Sequence, residues 1–177
     1  PWFLGALVLL ATALVYWPGL SGSFLFDDYP NIVSNARVHM ETLDWPSLKR
    51  AAMAYAPGDY GRPLATIGFA LDYWIGGKDP WGYKLHSLLV HLLNVCLVFA
   101  LTRRLFGLAG ETGSRLVLIA SAVTAFWAVH PLQISTVLYV VQRMELLAHT
   151  FVFLSLSAYL KGRQRQLDGQ RGWPWLA

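Results

Sequence analysis

Hydrophobic residues gather into four long runs, and the pattern between them sets the elements. Runs at about 2–20, 83–101, 115–130 and 145–160 come near the roughly 17 to 25 residues that a membrane-crossing helix needs, the third being short. Between the first two lies a segment, 21–82, of about sixty residues, too long to be a plain connector. Its periodicity predicts two short helices. Asp44 is placed to cap one, with Trp45, Leu48, Ala52 and Tyr55 on one side, and that helix is expected in the membrane interface. Pro63 opens the other, which stops at Gly76-Gly77 and carries Leu64, Ile67, Leu71 and Trp74 as its apolar stripe. The fold class expected is an all-α integral membrane protein.

Within the second run, Lys84, Ser87, His91 and Asn94 recur at helical steps while Leu85, Leu88, Leu89, Leu92 and Leu93 fill the rest. Such a stripe must face protein or water, and hydrogen bonding between helices explains His91 and Asn94 without any ligand. Lys84 and His86 sit at the outer end, where a ligand phosphate could reach them. Snorkelling to the interface explains Lys84 equally well.

Composition agrees with the pattern: 55% of residues are hydrophobic and 14% charged, with a mean hydropathy of +0.43. Arg103, Arg104 and Arg115, and after the fourth run Lys161, Arg163, Arg165 and Arg171, make two connecting segments basic and therefore cytoplasmic. Segment 21–82 holds seven acids against five bases, as an external loop does. The pI near 9.4 then reports cytoplasmic anchors, and nucleic-acid binding is set aside. Cys96 stands alone, which excludes a disulfide framework or a cysteine metal site within the chain. The chain opens at Pro1, and 172–177 reads as the start of a fifth hydrophobic segment, so a single membrane module, 1–177, from a longer protein is expected.

The candidate chemistry clusters on the external side. Asp27 and Asp28 follow the first run directly, where carboxylates are costly to keep and point to function. Arg62 precedes the second short helix. The third run ends at His130-Pro131, and Gln142, Arg143 and Glu145 introduce the fourth. Arg143 and Glu145, two residues apart, point away from each other on a helix, so each needs another partner; Glu145 and His149 could pair one turn deeper. Two acids, two arginines and a histidine suit transfer from a lipid-linked phosphate donor: fixed cations hold the departing phosphate and a carboxylate takes the acceptor's proton.

Phe24-Leu-Phe-Asp-Asp-Tyr-Pro-Asn31, Gly61-Arg-Pro-Leu64, the run Gly82 to Asn94, His130-Pro-Leu-Gln133 and Gln142-Arg-Met-Glu-Leu146 together resemble the N-terminal membrane module of the GT-C glycosyltransferases. The nearest branch is the protein O-mannosyltransferase-like proteins with transmembrane segments and tetratricopeptide repeats, including bacterial relatives. The resemblance implies transfer of a sugar from a polyprenyl- or dolichyl-phosphate donor to a hydroxyl of a protein or glycan, on the periplasmic or lumenal face of a membrane. It puts the catalytic carboxylate at Asp27 or Asp28, with Asp27 favoured as base. Arg62, His130 and Arg143 would bind the donor phosphate, and Glu145 would orient Arg143 or His130. Lys84 and Ser87 depart from the histidine or asparagine often found there in relatives. No cofactor is expected to be required, although Asp27, Asp28 and Glu145 could supply oxygen ligands to a divalent cation. A non-catalytic membrane scaffold and a flippase of lipid-linked sugars, using the stripe from Lys84 to Asn94, are the competing readings.

Overall fold

The computed structural model describes residues 3–55 and 61–169; the segment expected to open a fifth hydrophobic run lies outside them. Among the described residues every regular element is a helix or helical turn. The elements are α1 (Phe3–Tyr16) with a 3-10 turn at Trp17–Ser21, a π turn at Tyr29–Val33, α2 (Trp45–Ala52), α3 (Pro63–Gly76), α4 (Pro80–Leu108), α5 (Gly113–Ala128), α6 (Gln133–Leu138), a 3-10 turn at Val140–Gln142, and α7 (Arg143–Leu167).

Two stretches, Phe3–Ser21 and Pro80–Leu108, are long and apolar enough to cross a membrane. Gly113–Ala128, at 16 residues, is apolar but shorter, and it ends at Ala128 instead of running on to His130. The fourth expected run falls inside α7, which starts earlier, at Arg143, and extends past the apolar stretch through Lys161, Arg163 and Arg165.

The described chain forms two compact units. One takes in the described parts of Pro1–Val15, His91–His130 and Ala148–Ala177. Several polar side chains of its helices point inward while many large apolar ones point outward, unlike a water-soluble bundle. His91 and Asn94 are fully buried, whereas Leu7, Leu10, Phe126 and Phe151 are exposed. The His91 ring nitrogen Nε2 lies 3.0 Å from the Ala128 carbonyl, and the Thr150 hydroxyl donates to Asn94 Oδ1 at 2.7 Å. The interhelical reading of the inner half of the stripe is therefore what the structure shows.

The other unit, Tyr16–Val90 with Pro131–Leu147, holds the apolar core: Phe24, Ile32, Val38, Met40, Phe69, Tyr83 and their neighbours. Both short helices form where expected. Asp44 caps α2, accepting from the Ser47 amide at 2.8 Å, and Pro63 opens α3, which ends at Gly76 with Gly77 at φ +61°.

The faces they bury share only part of the expected stripes, with Leu48, Tyr55 and Leu71 packed against the edge of the core. On α2, Ser47 and Ala51 are buried while Trp45 is 76% exposed. On α3 the buried face is Ala65, Phe69 and Asp72 with Gly68, and Leu64 and Trp74 of the expected stripe are exposed. On α3 the buried set mixes small residues with Phe69 and Asp72, because close approach and charge satisfaction select positions that an apolar stripe alone does not.

Replacing Thr150 with Val removes the bond to Asn94 and is expected to lower stability by about 1 kcal/mol. Thermal unfolding of the purified, detergent-solubilised protein reads this, with exposed Leu93→Ala as the neutral reference.

Candidate functional site

The segment Tyr139 to Met144 gathers the candidate residues of the second unit. Between α6 and α7 the chain turns through extended Tyr139 and the short 3-10 turn, leaving amides without helical partners. Asp28 fills that vacancy. Its Oδ1 accepts from the Val141 amide at 2.7 Å and its Oδ2 from the Leu25 amide at 3.0 Å. The carboxylate is fully buried, and burial pushes its pKa above the usual carboxylate range, against the Leu25, Val141 and Val140 amides and the nearby Lys84 charge, which pull it down.

Asp27 is exposed. Its peptide is pinned on both sides: its N–H donates to the Tyr139 hydroxyl oxygen at 2.8 Å and its carbonyl accepts from Asn31 Nδ2 at 2.8 Å. The adjacent acids thus divide, one clamping backbone inside and one presenting a carboxylate outside. The Tyr139 phenol is held above its ordinary pKa by burial first and by the charges of Asp27 and Asp28 after it.

Arg143 is 1% exposed and sits at the centre of a polar knot. Nη1 donates to Asp72 Oδ2 at 2.5 Å, Nη2 to the Tyr83 carbonyl at 2.6 Å and Nε to the Ser87 hydroxyl at 3.1 Å. The Phe69 ring lies 5.0 Å from the guanidinium carbon, and Gly68 keeps the approach clear, since a Cβ there would come within 3.3 Å of Nη1. The other Asp72 oxygen meets His86 Nδ1 at 2.8 Å. Nδ1 also lies 3.2 Å from Arg143 Nη1, but a nitrogen that donates to Asp72 cannot accept from Arg143, so Asp72 bridges the two.

This corrects the expectation for Arg143 and Glu145. The partner that Arg143 needs is Asp72, not Glu145, which is exposed and has no side-chain hydrogen bond or ion pair among the described residues. Arg143 also offers no open face to a ligand phosphate. Lys84 is 3% exposed, its ammonium lying under Gly22, where a Cβ would stand 2.7 Å from Nζ. Of the two candidate arginines Arg62 is the exposed one; Nη1 contacts Met144 Sδ at 2.9 Å and the guanidinium lies 4.9 Å from the Tyr55 ring centroid. His86 is partly exposed and lines a cavity of about 290 Å³ with Asp72, Trp81, Leu85 and Leu89. His130 belongs to the first unit, where its ring meets Phe126 edge to face at 5.4 Å.

Among the described residues no three His, Cys, Asp or Glu side chains group to hold a metal ion, so the carboxylates of Asp27, Asp28 and Glu145 do not form such a set. Sequence reasoning missed Asp72 and Tyr139. Asp72 left a signal, a lone acid amid the apolar residues of α3 and in step with Ala65 and Phe69; Tyr139 left none.

Comparison with known proteins finds relatives along nearly the whole chain. Protein O-mannosyl-transferase tmtc2 of Xenopus laevis is 31% identical over 179 residues, covering 95% of this chain and 20% of that protein. Protein O-mannosyl-transferase TMTC2 of Homo sapiens is 29% identical, covering 94% and 20%, and TMTC4 of Homo sapiens is 33% identical, covering 96% and 25%. The chain thus spans about a fifth to a quarter of the length of these relatives. No family model and no solved structure matches it.

Removing one member of the buried pair should cost more than removing both. Asp72→Leu or Arg143→Met alone is expected to destabilise by about 3–5 kcal/mol, and the double variant by clearly less than the sum; chemical denaturation of the four proteins checks this. The raised pKa of Asp28 means that its charged form opposes folding. Its contribution is therefore most favourable in acid and is lost as pH rises from about 3.9 through the higher folded value. Asp28→Asn should flatten that decline of stability above about pH 3.9, measured by thermal midpoint.

Proposed function

We propose that this chain, homologous along nearly its whole length to TMTC-named protein O-mannosyl-transferases, is part of a membrane glycosyltransferase of the same kind. The reaction moves a sugar from a polyprenyl- or dolichyl-phosphate donor to a hydroxyl acceptor, a protein Ser or Thr in the first place. It takes place on the periplasmic or lumenal face, with the GT-C arrangement of four spans and segment 21–82 external. The observation that carries the reading is the division of labour at Asp27 and Asp28: a buried carboxylate fixes the backbone so that its exposed neighbour is presented at one place.

The chemistry then follows from charge. The acceptor O–H gives its proton to the Asp27 carboxylate as its oxygen bonds to the anomeric carbon, and the bond from that carbon to the donor phosphate breaks. The electron pair leaves on the prenyl phosphate, the anomeric centre inverts, and water later takes the proton from Asp27. Proton transfer is timed to the transition state, when the acceptor oxygen becomes acidic.

Arg62 and His86 meet the charge gained by the leaving phosphate. Arg62 is exposed and has a planar fork for two phosphate oxygens, and His86 stands at the polar end of a mostly apolar cavity suited to the first isoprene units. Arg143 acts at one remove: through Asp72 it sets the orientation of His86.

Asp27→Asn is expected to lower transfer from dolichyl-phosphate mannose to a Ser/Thr peptide by about 10²- to 10⁴-fold. Its unfolding midpoint should match the wild type, because the carboxylate is exposed. Normal transfer by this variant overturns Asp27 as base. Arg62→Ala should act differently, raising the KM for the donor while leaving that for the peptide unchanged.

A further inference from the structure

The hydrogen bond from the Asp28 amide to the Leu25 carbonyl, at 2.8 Å, closes a four-residue turn with Phe26 and Asp27 at its corner. Phe26 has φ +33°, and among the described residues it is the only non-glycine with positive φ. Turns that need positive φ at this corner take glycine, asparagine or aspartate, because a Cβ there crowds the backbone. A phenylalanine is a poor choice on conformational grounds.

Packing does not explain it either. Phe26 is 80% exposed, and an exposed apolar anchor could stand on unstrained backbone. The strain is held in place from four directions: the turn bond itself, Leu25 N–H to Asp28 Oδ2, Asp27 N–H to the Tyr139 hydroxyl, and Tyr29 N–H to the Phe26 carbonyl at 3.2 Å. Strain so thoroughly over-determined accompanies function.

What the turn presents is an aromatic face next to a carboxylate. The Phe26 ring stands edge to face against Tyr139, with centroids 6.4 Å apart and planes at 79°. Tyr139 is the residue that also fixes the Asp27 peptide. One phenol therefore indexes both the ring and the acid.

We propose that Phe26, steadied by Tyr139, is a stacking platform for the pyranose ring of the sugar, seating it in front of the Asp27 carboxylate. This rests on the glycosyltransferase reading above. The C–H bonds on one face of a pyranose form an apolar, slightly positive surface that an aromatic face accepts, as rings accept the edges of other rings. As the bond to phosphate loosens, the sugar gains oxocarbenium character, and the electron-rich face attracts that charge as it does other cations. Phe26 is thus a sugar-contacting residue that sets specificity for a pyranose, with Tyr139 as its positioning residue.

The test uses the intact protein in lipid nanodiscs and two readouts: binding of methyl α-mannoside by saturation-transfer NMR, and transfer from dolichyl-phosphate mannose to a Ser/Thr peptide. Phe26→Leu keeps an apolar side chain of similar size but no ring; it should lose about tenfold in mannoside affinity and lower kcat for transfer while the KM for the peptide stays unchanged. Phe26→Tyr and Phe26→Trp should retain both. Phe26→Gly should raise the unfolding midpoint, because it relieves the strained φ, and still lose binding, a combination that a merely structural role would not give. Wild-type affinity in Phe26→Leu, or no mannoside binding by the wild type, overturns the platform. A wild type that binds mannoside through Phe26 but transfers nothing refutes the transferase reading alone.

Discussion

A guanidinium removed from water must be neutralised where it lies, and much of the second unit follows from how Arg143 meets that demand. Its charge is answered by Asp72, its remaining donors by the Tyr83 carbonyl and the Ser87 hydroxyl. To deliver those acceptors α3 must turn its small and acidic face inward and α4 must present Tyr83 and Ser87 on one side. The segment that ends at Arg143 is thereby held, and its earlier residues become fixed points: Val141 for Asp28, Tyr139 for Asp27. A pair of this kind gives little net stability compared with apolar packing, but a wrong arrangement of it is expensive. Its contribution is to specify one geometry.

The sequence made the helices legible because their signals are local. Asp44 before Trp45, Pro63, and Gly76-Gly77 each act on the backbone within one turn, and each does what its chemistry requires. The inward stripe of α4 was also readable, since polar residues at helical spacing amid leucines have nowhere else to go. The faces of α2 and α3 were not. Leu64 and Trp74 of the apolar stripe stay exposed while Asp72 goes inside, because the charge of Arg143 and not apolarity decides which side of α3 turns inward.

The site was legible in its parts and not in its pairings. Asp27, Asp28, Arg62, His86 and Arg143 stand out by residue type alone, but the partner of Arg143 lies 71 positions away and that of Asp28 at 113. Nothing in spacing along the chain encodes such distances. The resemblance favours Asp27 as base, but residue type gives no physical difference between the two neighbouring aspartates; burial separates their surroundings.

Gly22 shows how far the buried charges reach. It lies at the surface with ordinary extended backbone, φ −73° and ψ 158°, so nothing about its conformation calls for glycine. What a side chain there would meet is the ammonium of Lys84 beneath it, 2.7 Å from where a Cβ would stand. Even a methyl group would force Lys84 to retreat, and the cation would then shift against Asp28, whose ionisation it favours. A solvent-facing position with no chemistry of its own thus tunes the proton affinity of a carboxyl it never touches.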